Sequence, residues 1–140
     1  MLEDQAAAGS VRLGSRPPLH HFRDGETLRA ANNYAASLLL LDRFEEAKSL
    51  LRRILSVTRR VYGDNDDKSI RIKTLYAKAL YRADGATLDD VRESVETFED
   101  AERTARRLLG GAHPVVGSIE LFLRNAREEL AARETPSASA

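Results

Sequence analysis

Thr27-Leu-Arg-Ala-Ala-Asn-Asn-Tyr-Ala35 and Ser69-Ile-Arg-Ile-Lys-Thr-Leu-Tyr-Ala77 align residue for residue, 42 positions apart. A second pair, Arg59-Arg-Val-Tyr-Gly63 and Arg106-Arg-Leu-Leu-Gly110, aligns farther along the chain. Self-similarity at a period between about 20 and 50 residues is the mark of a stacked array. In such an array each unit buries its apolar face only against its neighbours, and the product is an extended concave surface. Surfaces of that kind bind other proteins or peptides.

The residues between the repeated strings carry helical periodicity. Leu28, Ala31, Tyr34/Ala35 and Leu38 recur at three- and four-residue steps, which predicts a helix over 26–41. Asp42-Arg43 leaves room only for a tight turn before a second helix over 44–62, with Phe44, Ala47, Leu50/Leu51, Ile54 and Val61 on one face. So short a turn forces the two helices antiparallel. Gly63 is positioned to end the second helix in the αL conformation. A third helix is predicted over 67–82 with Asp66 or Asp67 as N-cap. A fourth follows Thr87 as N-cap, with Asp89 and Asp90 in its first turn and an apolar series from Val91 to Leu108. His113-Pro114 opens a fifth, with proline near N1. No segment alternates apolar and polar residues over strand length.

At 140 residues the chain has room for one domain. Domain organisation reads as an irregular tail over 1–23, a repeat domain over 24–134 and a second loose end over 135–140. Within the domain, 24–63 forms repeat 1, 64–110 repeat 2 and 111–134 a capping helix whose last turns are polar on the outside. The fold class is therefore all-α, an antiparallel helical-hairpin solenoid of about two and a half repeats and five helices.

Composition excludes several chemistries. The 22 basic and 22 acidic residues balance, so no global field draws in nucleic acid or an anionic membrane. The chain has no cysteine, hence no disulfide, thiolate metal site or cysteine nucleophile. The longest apolar run, Leu38 to Leu41, is far too short to cross a bilayer. An N-terminus bearing Glu3 and Asp4 has no secretory h-region, and a cytoplasmic location is the expectation. His20-His21 lacks metal-site partners, and no phosphate loop, serine elbow or carboxylate pair stands out. The reading is non-catalytic, without metal or cofactor. The paired arginines Arg52-Arg53, Arg59-Arg60 and Arg106-Arg107 share their helices with many carboxylates and read as solvated faces.

Tyr34-Ala35-x-x-Leu38 with Ala47-x-x-x-Leu51, and Tyr76-Ala77-x-x-Leu80 with Ser94-x-x-x-Phe98, resemble the tetratricopeptide pattern. Ala35, Ala47, Ala77 and Ser94 are small where a neighbouring helix must approach closely. The longer period, with Asn32-Asn33-Tyr34-Ala35, Arg43-Phe-Glu-Glu-Ala47, Arg60-Val-Tyr-Gly63 and Gly110-Gly-Ala-His-Pro114, is similar to the repeats of the kinesin light chain family. In the second unit Thr74 and Leu75 stand where that family has an asparagine pair. The resemblance implies a right-handed solenoid with a cargo- or adaptor-binding role, a peptide lying in a groove lined by the first helix of each hairpin. Helical spacing then turns Arg29, Asn32 and Asn33 of the first unit, and Arg71, Thr74, Lys78 and Arg82 of the second, toward that groove. Asparagine can donate to and accept from a peptide backbone, while arginine and lysine pair with acidic groups. The expected partner is a protein or acidic peptide. The alternative is a structural stub that joins a larger complex, or a second copy of itself, through an uncapped first hairpin.

Overall fold

The computed structural model describes residues 13–14 and 25–135. Among them are five α-helices and no strand: α1 (Gly25–Leu40), α2 (Phe44–Tyr62), α3 (Asp67–Arg82), α4 (Leu88–Leu109) and α5 (Pro114–Glu134). The fold is an all-α helical-hairpin solenoid. Each helix packs against the next, while α1 also meets α3 and α3 meets α5. Apart from Leu13, Gly14 and Thr135, the two expected tails lie outside the described residues.

The helix ends follow from local chemistry. α1 stops in a tight crossing where Asp42 takes a left-handed φ of 59°. Arg43 N–H returns to the Leu38 carbonyl at 2.8 Å and Asp42 N–H to Leu39 at 3.1 Å, which satisfies carbonyls the helix would leave open. Asp66 caps α3 by accepting from Lys68 N–H at 2.8 Å. Thr87 and Asp90 form a reciprocal capping box on α4, and the Nδ1 atom of His113 caps α5 by accepting from Val115 N–H. Gly63 differs from expectation. Its φ of 87° is positive, but its ψ of 173° is extended, so it ends α2 outside the αL region.

Two main clusters divide the core. The first joins α1, α2 and α3 through Leu38, Leu51, Ile54, Ile72 and Leu80; the second joins α3, α4 and α5 through Ala77, Phe98, Ala105, Ile119 and Leu123. Ala35, Ala47, Ala77 and Ser94 are all fully buried, as close helix contact requires. The Ser94 hydroxyl even donates to the Ala77 carbonyl at 2.7 Å, so α3 and α4 touch backbone to side chain at that point. Val61 and Leu108, placed on apolar faces by spacing alone, are instead 41% and 45% exposed. Both sit in the last turn of their helices, where the adjacent Tyr62 and Leu109 pack against the core in their place. Thr58 takes a buried position on α2 by donating its hydroxyl to the Ile54 carbonyl at 2.8 Å.

Two polar links tie the hairpins together. Lys73 is 1% exposed, yet its ammonium lies 2.6 Å from Asp100 on α4 and donates to the Asp64 carbonyl at 3.0 Å. The Tyr76 hydroxyl donates to Glu93 at 2.8 Å and accepts from Arg52 at 3.2 Å, joining α2, α3 and α4. The 83–87 connection is not a free loop: Ala83 and Ala86 pack with Val91 in a small third cluster, and Arg133 near the end of α5 donates to the Ala86 carbonyl.

Candidate functional site

Because α1, α3 and α5 are successive first helices of the stack, one face of each lies on a common side of the molecule. Two adjoining cavities open there. The first, about 450 Å3, lies between α1 and α3 and is lined by Leu28, Arg29, Asn32, Asn33, Asp67, Lys68 and Arg71. The second, about 420 Å3, lies between α3 and α5. Its walls are Arg71, Thr74 and Lys78 from α3 and Val115, Ser118 and Ile119 from α5, with Ile70, Leu75 and Leu109 beneath. Asp67 and Arg71 belong to both, so the two form one groove.

Six of the seven residues singled out by spacing line this groove. Arg29, Asn33 and Arg71 are exposed, and Arg29, Arg71 and Lys78 make no ion pair among the described residues. Lys78 is half-buried, its ammonium 4.3 Å from the centre of the Phe122 ring on α5. Burial, and then the charges of Arg82 and Arg71, hold its pKa below the ordinary lysine value. An ammonium destabilised by its surroundings gains from a carboxylate placed beside it. Thr74 spends its hydroxyl on the Ile70 carbonyl at 2.8 Å and presents mainly its methyl group.

Two of the seven depart from expectation. Asn32 is not a solvated position. It is 6% exposed, and its Oδ1 atom is buried with no hydrogen-bond partner. Such an acceptor costs about 1–3 kcal/mol to leave unpaired. Arg82 lines neither cavity; its guanidinium stacks 5.3 Å from the Phe44 ring at the far end of α3. One helical turn past Lys78, it has moved beyond the mouth of the groove.

The wall supplied by α5 was missed by sequence reasoning, which assigned that helix only a capping role. The signal lay in Gly110-Gly-Ala-His-Pro114, which starts a third hairpin-like unit and so puts α5 beside α3. Leu109 and Val115, which flank that start, give the second cavity its apolar character.

A third cavity, about 530 Å3, lies where α2, α3 and α4 meet, lined by Arg52, Ser56, Arg59, Arg60, Tyr76 and Glu93. Its polar groups already answer one another: Arg52 and Glu93 share the Tyr76 hydroxyl, and Arg59 pairs with Asp64 at 2.7 Å. In the groove, by contrast, Arg29, Arg71 and Lys78 have no carboxylate partner among the described residues.

Residues 26–88 match the family model of the tetratricopeptide repeat. The match takes in the whole first hairpin and α3, a little under half of the chain, and it supports a tetratricopeptide-repeat protein. Repeats of this family generally mediate protein–protein interaction. No curated protein and no solved structure matches the chain. Among the described residues, no helix is long and apolar enough to cross a membrane, and no group of three or more His, Cys, Asp or Glu side chains could hold a metal ion.

Proposed function

We propose that this protein is a non-catalytic adaptor or scaffold module that binds an extended, acidic segment of another protein along the α1–α3–α5 groove. The observation that carries the reading is the convergence on one groove of Arg29, Arg71 and Lys78, none with a carboxylate partner among the described residues. Acidic side chains would neutralise these cations, and the exposed Asn33 amide can both donate to and accept from a peptide backbone. The apolar floor of the second cavity would take one aliphatic or aromatic side chain of the same segment. Its partner is thus a mixed acidic and apolar peptide rather than a purely charged one. A cytoplasmic role of the cargo- or adaptor-binding type, as the likeness to kinesin light chain repeats implies, fits this chemistry.

Selection from a random peptide display library tests the reading. Enriched peptides should carry two or more acidic residues and an apolar anchor. Their affinity should fall at least tenfold in an Arg71→Glu, Lys78→Glu double variant that keeps its helical circular-dichroism spectrum. Binding should also weaken as salt is raised, because groove and ligand charges are only partly desolvated. Peptides of no common charge, or equal binding by the double variant, would refute the groove as the site.

A further inference from the structure

A solenoid end that lacks a neighbour needs a cap. On α2, Lys48 and Arg52 turn toward the second hairpin, reaching Asp90 at 3.8 Å and Tyr76 at 3.2 Å. At about 100° per residue, Val57 lies on roughly the opposite side of that helix. On α1, Asn32 faces the groove, and Tyr34 lies roughly opposite it by the same spacing. Tyr34 and Val57 therefore belong to the outer edge of the first hairpin, where a preceding repeat would sit. Yet both are half-buried and packed against the first core, and so is Leu13. Gly14, the next residue, is exposed, with nothing within 4 Å of the place a Cβ would occupy. Leu13 thus packs against the first core while Gly14 stands in open space.

We propose that Leu13 caps the array: its side chain lies on the Tyr34–Val57 edge, against which no other described helix packs. Chain length permits this, since the stretch from Leu13 to Gly25 can span up to about 40 Å, more than the roughly 24 Å length of α1. The proposal is independent of the groove reading.

The chain has no cysteine, so Gly14→Cys gives a single labelling site in open space. With a nitroxide there, NMR signals of Val57 and Tyr34 should broaden several-fold more than those of Lys78 and Ile119. Leu13→Asp in the labelled full-length chain should abolish that selectivity and lower Tm by about 3–6 °C; Leu13→Met should preserve both. Uniform broadening, or broadening centred on the groove, overturns the proposal. So does an unchanged Tm in Leu13→Asp. Broadening of unlabelled chains mixed with labelled ones would show a second copy to be the occupant, and would overturn it equally.

Discussion

Replacing Asn32 with leucine should make the protein more stable. The Asn32 Oδ1 atom is buried and unpaired, on a residue 6% exposed. An unsatisfied buried acceptor costs about 1–3 kcal/mol. Leucine is close to asparagine in size, needs no partner, and would face the apolar Leu28 beside it. Fitting its extra bulk into a packed position takes back up to about 1 kcal/mol. The net expectation is a gain of about 1 kcal/mol, which for a domain of this size raises Tm by about 4 °C. Thermal melts followed by circular dichroism measure that shift. A fall in Tm would mean that the acceptor is already satisfied in the free protein, and would refute the account of Asn32 as an unpaired buried acceptor.

Three further outcomes follow from the packing. Asp100→Ala should destabilise the protein by about 1–3 kcal/mol, because buried Lys73 loses its closest counter-charge while keeping Asp64 nearby; a Lys73→Met, Asp100→Ala pair should recover most of the loss in urea titration. The backbone hydrogen bond from Thr87 holds the Asp90 carboxyl below its ordinary pKa, and the Lys68 N–H does the same for Asp66. These depressed values contribute stability above the unfolded-state pKa near 3.9, and it is lost as pH falls through and below that value. Tm should therefore decline from about pH 5 downward, less steeply in Asp90→Asn than in the parent chain. Ala47→Arg should cost more than 4 kcal/mol by forcing a long charged side chain into a fully buried helix contact, and a near-native melt would show the helix packing to be wrong.

The sequence alone determined the array. Helix-period apolar stripes, a Thr87 cap, a proline at the start of α5 and small residues at Ala35, Ala47, Ala77 and Ser94 are local signals, each set by backbone geometry or by the size of one side chain. The same 3.6-residue period also turned Arg29, Asn32, Asn33, Arg71, Thr74 and Lys78 to a common side, since faces of stacked helices keep their orientation from unit to unit. Only the tertiary structure decided how deep each of them lies. Asn32 is buried, Arg82 is drawn away to the Phe44 ring, and the groove's second wall comes from α5. Burial of Lys73 against Asp100, 27 positions away, and the packing of Leu13 against the first hairpin were equally hidden. Periodicity reports direction around one helix; depth and partner depend on what other helices bring, and no single segment encodes that.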